Sequence, residues 1–428
     1  MSSEIWMRIS VVGGGYVGLV SAACFSELGH TVDLIEIDPA KVEAINQGGS
    51  PIYEKGLDEI LKEHVGRDLK ATPTYESIEH SQVALICVGT PQGKGGEADL
   101  SMIGSAAKSI GLALQNCHDY HVVAVKSTVP PGTTENLVKP TVLKYSGIFQ
   151  EIGFVMNPEF LREGLAVQDF MNPDRIVVGS SDKKAGDVFA GVYGGLDAPV
   201  IRTSLTAAEM IKYASNAFLA TKISFSNEIG NICKRLGIDV YEVMKGVGLD
   251  HRINPYFLNA GAGFGGSCFP KDLSALGHLA REVGEDPMLL NAVMEINERQ
   301  PMRIIELLEK RIGDLAGKRV AVLGLAFKND TDDARESRSI PVIAELKKRG
   351  ATVKAYDPKA NSSMSRIFPE IDYFSSAAEA LDGADACLVM TEWPQFGRLC
   401  TEFDLMKKRV IIDARRILSC KDAEGICW

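Results

Sequence analysis

Two doubly wound α/β domains, joined by a long central helix and a helical middle region, are what this sequence of 428 residues predicts. Three observations carry the prediction. Short β-branched runs alternate with helical stretches at the N-terminal end, the same alternation restarts near residue 313, and residues 206–312 between them read as interrupted helix. Strand alternating with helix implies βαβ units and a parallel sheet covered on both faces. The expected boundaries are 1–205, 206–312 and 313–428, and at roughly 100–200 residues per domain the chain has room for them.

In chain order, RISVVGGG (8–15) is a β-branched run ending in glycines. VGLVSAACFSELG (17–29) has helical periodicity and a terminal glycine, and TVDLIEID (31–38) is a second strand. VALICVG (83–89), HVVAVKST (121–128), FVMNP (154–158), RIVVGSS (175–181) and PVIRTS (199–204) complete the strands of this domain. Thr206 and Glu209 then have capping-box spacing. No proline follows before Leu236, Gly230 is the one interior glycine, and Gly237 is placed to end the helix. At 1.5 Å rise per residue such a helix is about 45 Å long. Its largely apolar character calls for a large packing partner, such as a second subunit. KRVAVLGLAF (318–327), ATVKAYDP (351–358), ADACLVMT (384–391) and RVIIDAR (409–415) are the strands of the last domain, with a helix over SRSIPVIAELKKRG (337–350).

Composition excludes several classes. The net charge is −10 and no Lys/Arg cluster is present, so a nucleic-acid-coating protein is not expected. No apolar run reaches the ~18–20 residues needed to span a bilayer, and MSSEIWMRIS lacks the features of a secretory leader. A cytoplasmic protein is expected. The nine cysteines are scattered and never form C-x-x-C, which argues against disulfide frameworks and zinc sites. Eight of them read as buried free thiols, with Cys268 as the exception. The histidines (30, 64, 80, 118, 121, 251, 278) show no metal-ligand spacing, and no metal is expected.

Two motifs carry chemistry. Gly13-Gly14-Gly15-Tyr16-Val17-Gly18 matches G-x-G-x-x-G directly after a strand and at the start of a helix. Gly13 permits the tight turn, Gly15 lets a pyrophosphate approach the backbone, and Gly18 lets the helix sit close to the sheet. Backbone N–H groups at the helix N-terminus then favour the anion. Glu36, with Asp38 as the alternative, is the acid at the end of the second strand; a carboxylate there accepts ribose hydroxyls and disfavours a 2′-phosphate. NAD is the expected cofactor, with Lys41 able to contact its adenosine side. The second motif is GAGFGGSCFPKD (261–272), where a glycine-rich loop brings a thiol, a cation and a carboxylate within five residues. A nearby ammonium favours thiolate, so Cys268 reads either as an activated nucleophile or as a buried thiol in a glycine turn.

With this loop the chain resembles the UDP-glucose/GDP-mannose dehydrogenase family. VGGGYVG (12–18), CVGTP (87–91), KSTVPPGT (126–133), NPEFLREG (157–164), EMIKYASNAFLA (209–220), GFGGSCFPKD (263–272) and LGLAFKNDTDDARES (323–337) carry the resemblance over nearly the whole chain. DHRINPYFLNAGAGFGGSCFPKD (250–272) resembles the branch that acts on UDP-glucose. The implied reaction is a four-electron oxidation of C6 from alcohol to carboxylate, with two NAD reduced per turnover. The alternative is the same chemistry on GDP-mannose or a UDP-N-acetylhexosamine. A two-electron 3-hydroxyacid dehydrogenase would leave Cys268 and the last domain without a role. A silent NAD-binding regulator would have no use for the catalytic set.

The resemblance also implies roles. Cys268 would form a thiohemiacetal and then a thioester. Lys212 and Asn216, four apart on the long helix, would stabilise the oxyanion at C6. Asp272 would hold a proton-accepting water, its plainer reading being an N-cap for the helix that follows. Glu159 would be the base for thioester hydrolysis, with Thr128 orienting water. For the cofactor, Tyr16, Val17, Thr90, Thr128, Glu163, Lys271 and Arg335 would join the fingerprint glycines, Glu36 and Lys41. For the substrate, Phe160, Leu161, Arg162 and Phe327 would join Glu159, and Lys328 would bind its phosphates. Phe257, Leu258, Asn259 and Ala260, with Phe264 and Gly265, would line the sugar and uracil pocket. Arg252 would reach across a subunit interface, making the protein at least a dimer. The last domain has one glycine in LGLAFKND where a dinucleotide turn wants three, as expected of a Rossmann-like fold adapted to a different nucleotide.

Overall fold

The structure, a computed structural model, describes residues 6–115, 117–147, 151–420 and 422–428. The chain divides into two compact units, residues 1–215 and 216–428, and the division falls inside one long helix.

The first unit is built on eight strands: β1 (Arg8–Val12), β2 (Thr31–Ile35), β3 (Leu69–Thr72), β4 (Val83–Ile86), β5 (His121–Val125), β6 (Ile152–Met156), β7 (Ile176–Ser180) and β8 (Val200–Thr203). Their order is β3-β2-β1-β4-β5-β6-β7-β8. Winding reverses between β1 and β4, which opens a crevice at the carboxyl ends of those two strands. The expectation of a parallel sheet holds at every pairing except β6 with β7, which is antiparallel. Residue pattern reports a strand but not its direction, so this reversal left no trace in the sequence. β3 was missed for a related reason: LKAT is too short and too mixed to stand out. The central strands VALI and HVVAV are buried throughout, as continuous apolar runs should be when helices cover both faces.

The long helix runs Leu205–Leu236 and ends, as expected, at Gly237, whose φ is +70°. Its beginning departs from the capping box. Ser204 Oγ accepts the Ala207 N–H at 3.2 Å, while Glu209 turns away from its own helix. The Glu209 carboxylate, fully buried, accepts from the N–H groups of Gly132 and Thr134 and from Thr134 Oγ1. A buried carboxylate needs several donors, and the 132–134 turn offers more than the helix start does.

In the second unit, helices Val240–Gly248, Phe269–Glu282 and Met288–Ile312 precede a sheet of β9 (Arg319–Leu323), β10 (Thr352–Tyr356), β11 (Asp372–Tyr373), β12 (Ala386–Val389), β13 (Ile411–Asp413) and β14 (Ala423–Gly425). All pairings are parallel, in the order β11-β10-β9-β12-β13-β14. The short β11 and β14 were not legible in the sequence.

The two sheets repeat one turn. Gly13 donates to Ile35 O at 2.8 Å and Gly324 donates to Tyr356 O at 2.8 Å, each linking the end of a first strand to that of a second. Both have positive φ, +107° and +99°, and a Cβ on either would collide with the chain opposite. The acid that follows differs in what it holds. Asp357, at the place corresponding to Glu36, is buried and accepts from Leu325 N at 2.7 Å, Ala326 N at 3.0 Å and the Trp393 indole at 3.0 Å. With its acceptors so engaged it is poorly placed to bind a ribose, which gives the second unit's departure from dinucleotide binding a physical cause.

The cysteine expectation fails at two positions. Cys24, Cys87, Cys117, Cys233, Cys387 and Cys427 are buried, but Cys400 is exposed and Cys420 is partly so. Cys400 precedes the 3-10 helix Thr401–Leu405, which sends Phe403 into the core and leaves Cys400 outside it. Among the described residues no helix is long and apolar enough to cross a membrane. Among the described residues one histidine joins two carboxylates in a cluster: His64, Glu27 and Glu63 place ligand atoms within 4.8 Å of one another. Both His64 nitrogens are engaged, with Asp68 at 2.7 Å and Glu27 at 2.9 Å, and the Arg67 guanidinium lies 3.0 Å from Nδ1. A cation at that place would compete with an arginine.

Candidate active site

The fingerprint helix, Tyr16–Glu27, begins where the crevice opens. A Cβ on Gly13 would sit 2.9 Å from Cys87 O, and one on Gly18 would sit 1.8 Å from Gly13 O. Those two glycines close the turn. At Gly15 a Cβ would meet nothing within 4 Å, so the backbone there is open on its side-chain face. Glu36 Oε2 accepts the Gly14 N–H at 3.0 Å, and Lys41 stands 3.7 Å from the same oxygen. Asp38, the alternative acid, caps helix Pro39–Asn46 through the Ala40 N–H at 2.9 Å. The Asp38 carboxylate is thereby engaged at a helix start, while Lys41 is tied to Glu36 rather than left to solvent alone. An open glycine backbone, a helix N-terminus and one buried acid fit NAD. Val17 is half-buried beside Tyr16, whose hydroxyl donates to Glu54.

At the ends of β4, β5 and β6 stand most of the remaining predicted groups of the first unit. Thr90 Oγ1 donates to Thr128 O at 2.9 Å, fixing two cofactor-assigned threonines together. Glu159 is buried and forms a 3.0 Å ion pair with Lys212, which is buried as well. Tertiary packing brings together two charges 53 positions apart, and each makes the other's burial tolerable. Glu159 also accepts the Leu161 N–H at 2.6 Å, and the Phe160 ring lies against the Lys212 ammonium, 5.4 Å from ring centre to Nζ. Arg162 is exposed and grips Asp169 through two N–H groups at 2.9 and 2.6 Å. Glu163 is half-buried in the same loop.

The second unit holds the rest. Asn216, one turn beyond Lys212 on the same helix, donates to Asp272 at 2.7 Å. Asp272 is buried inside the first turn of helix Phe269–Glu282, and so is not the N-cap of that helix. Cys268 occupies the cap position instead and is exposed, which excludes the buried-thiol reading. A thiolate there gains from the helix dipole. The Lys271 ammonium, expected to favour that thiolate, pairs with its neighbour Asp272.

A cleft of about 370 Å³ gathers Phe257, Asn259, Ala260, Phe264, Gly265, Phe327 and Lys328, seven of the residues expected at the substrate. It lies at the carboxyl ends of β9, β12 and β13, the switch point of the second sheet. Gly265 is required there, since a Cβ would lie 2.1 Å from Glu336 O. Leu258 is buried and is not among the residues lining the cleft. Arg252 is exposed and clasped by Asp250, and Arg335 is exposed and clasped by Asp333. The same cleft is lined by Tyr241, Glu392, Arg415 and Arg416, which the sequence reading had not assigned to it. The pair Arg415-Arg416, just past the strand Ile411–Asp413, was the available signal, because a residue just past a strand's carboxyl end points at the crevice.

Fold and site together define an NAD-dependent oxidoreductase with a second nucleotide-binding domain. Three family models match: the NAD binding domain (residues 7–197), the central domain (206–299) and the UDP binding domain (321–420) of the UDP-glucose/GDP-mannose dehydrogenase family. The chain belongs to that family. It is 47% identical over 423 residues to the UDP-glucose 6-dehydrogenase AglM of Haloferax volcanii, covering 97% of this chain and 98% of that one. It is 45% identical over 424 residues to the UDP-glucose 6-dehydrogenase TuaD of Bacillus subtilis, covering 98% and 91%. Its structure matches that of a UDP-glucose dehydrogenase from the hyperthermophilic archaeon Pyrobaculum islandicum with a TM-score of 0.96 at 40% identity, over 100% and 99% of the two chains. A UDP-D-ManNAc dehydrogenase from Pyrococcus horikoshii matches at 0.86 and 29% identity, over 98% and 99%.

Proposed function

We propose that this protein oxidises C6 of UDP-glucose from alcohol to carboxylate, with two NAD reduced per sugar. The observation that carries the reading is Cys268 exposed at the head of a helix whose first turn buries Asp272 against Asn216. The functional division is 1–205 for the cofactor, 206–312 for the reacting loop and subunit contact, and 313–428 for the UDP-sugar.

When bound, NAD supplies the hydride acceptor for both oxidations. Gly13, Gly15, Gly18 and the helix that Tyr16 and Val17 begin would hold its pyrophosphate, and Glu36 with Lys41 would hold its adenosine ribose. Thr90, Thr128, Glu163, Lys271 and Arg335 complete its environment. In the first oxidation Asp272, through a water, takes the proton of the C6 hydroxyl. Lys212 and Asn216 donate to the oxygen as it becomes anionic, a preorganised stabilisation of the developing charge. Cys268 Sγ then adds to the aldehyde carbon. The thiohemiacetal so formed can lose hydride where a bare aldehyde cannot, and its oxidation leaves a thioester. Glu159 takes a proton from a water oriented by Thr128; that water adds to the thioester carbon, and the thiolate departs. Phe160, Leu161 and Arg162 shape the sugar side. In the second unit, Lys328, Arg415 and Arg416 offer positive charge to the diphosphate, while Phe257, Phe264 and Phe327 offer apolar surface to uracil and sugar.

The test is a count. With excess NAD and a limiting amount of UDP-glucose, two NADH per sugar at completion are expected. One NADH would refute the thiol chemistry; none with UDP-glucose but turnover of GDP-mannose or a UDP-N-acetylhexosamine would refute the substrate.

The protein acts in the cytoplasm as a homodimer in this reading. Phe218, Phe225 and Ile232 recur every seven residues along the long helix and are 64%, 46% and 52% exposed, with Leu236 beyond them at 68%. Such a stripe is the seam a second copy would cover, and Arg252 would then reach the partner's site. Phe225→Asp should sediment as a monomer where the parent chain sediments as a dimer. A parent chain that is itself monomeric would overturn the dimer, and recovery of the protein outside the cytoplasm on fractionation would overturn the address.

A further inference from the structure

One buried carboxylate in the first unit has no role in the chemistry above. Glu54 lies in the turn before helix Leu57–His64 and is 6% exposed. Its Oε2 accepts from the Tyr16 hydroxyl and from the Gly164 N–H at 2.7 Å, and its Oε1 accepts from the Ala166 N–H at 2.9 Å. The Tyr16 hydroxyl is itself 3.0 Å from Gly164 N. Tyr16 is the first residue of the fingerprint helix, and Gly164 and Ala166 end the loop that carries Glu159 and Glu163. The carboxylate thus ties three chain segments that meet only in the folded unit: 16 to 54, and 54 to 164 and 166.

We propose that Glu54 is a positioning residue that holds the acid-bearing loop 159–166 to the start of the cofactor-binding helix. The inference rests on the roles given above to Glu159 and Glu163. The loop is fixed at one end by the Glu159–Lys212 pair and along its length by Arg162 on Asp169. Its far end has the Glu54 carboxylate, which accepts two of its N–H groups. Burial, followed by the bond to Glu54, pushes the Tyr16 phenol well above its ordinary value, so it remains a donor throughout the working pH range. A neutral amide at position 54 keeps the shape but replaces one acceptor oxygen with a donor. That donor would face either the pair Tyr16 and Gly164 or the Ala166 N–H, and the clamp would lose one of its two arms.

The test compares Glu54→Gln with the parent chain by three readouts. Hydrogen exchange, with no cofactor or substrate added, should be at least about tenfold faster over 160–171 while β1, β4 and β5 exchange as before, since only a local tie is lost. The dissociation constant for NAD, titrated without substrate, should rise by no more than about threefold, since Glu163 is one of many cofactor contacts, while kcat falls about tenfold or more because Glu159 is no longer held. Tyr16→Phe should move kcat in the same direction, and the double variant should be no slower than Glu54→Gln alone, as partners in one network behave. The proposal is overturned if kcat stays within about twofold, if NAD affinity falls as far as kcat does, or if exchange quickens across the whole first unit. If the parent chain turned over no sugar nucleotide, the functional reading would fail while the exchange comparison still decided whether Glu54 holds the loop.

Discussion

Cys268→Ala is expected to stop the reaction before the acid, with the second NADH and the uronate both reduced by about 10³-fold or more. The reason is electronic. Hydride leaves a carbon that bears an oxyanion able to push it out, and an aldehyde carbon acquires that oxyanion only when a nucleophile has added. The side chain is exposed at a helix cap, so its truncation should move stability by no more than about 0.5 kcal/mol. Loss of activity will therefore not be a folding effect. NADH counted against sugar, with mass spectrometry for the acid and for a covalent adduct on the parent enzyme, makes the check. An alanine variant that yields the acid at the parent rate would remove Cys268 from the mechanism.

Lys212→Met should have a comparably large effect on both stability and rate. The Lys212–Glu159 pair is buried on both sides, so removing the ammonium leaves a carboxylate in a water-poor place with one charge uncompensated. Breaking such a pair costs about 3–5 kcal/mol. The first oxidation should slow by about 10²–10³-fold in addition, the usual loss for one preorganised donor at a developing oxyanion. Denaturant midpoints for Lys212→Met, Glu159→Gln and the double variant separate the two effects. The double variant should be less destabilised than the sum of the singles, because the uncompensated charge disappears with its partner. Additive losses would mean that the pair is not coupled, and a parent-like first oxidation in Lys212→Met would take the lysine out of the chemistry.

Much of the site was legible because its chemistry is written in short runs. A glycine turn needs its glycines adjacent, so Gly13, Gly15 and Gly18 announced the cofactor site without any knowledge of the fold. GFGGSCFPKD likewise announced a thiol beside a lysine and an acid. What such runs could not say is which neighbour a charge chooses. Lys271 looked like the activator of Cys268 and pairs with Asp272; Asp272 looked like a cap and lies inside the helix; Glu209 looked like half of a capping box and serves a turn 75 residues earlier in the chain. The Glu209 case is a competition between a local partner and a distant one, settled by where donors stand unsatisfied around a buried carboxylate.

The order of strands follows the same division. Alternation of apolar strand and helix is a local property, and from it came both doubly wound domains, the long helix to Leu236 and the helical stretch to residue 312. Direction and edge strands are not local: β7 runs against β6, and β3, β11 and β14 are too short to be seen outside a sheet. The sequence by itself therefore determined the two domains, the cofactor turn and the thiol of the glycine-rich loop. Only the tertiary structure decided that Asp357 is engaged by Trp393, that Arg415 and Arg416 join the nucleotide cleft, and that Glu54 reaches Gly164 across 110 positions. The physical reason is that backbone preference and side-chain period act over a few residues, whereas buried charges and donors find their partners only where the chain folds back on itself.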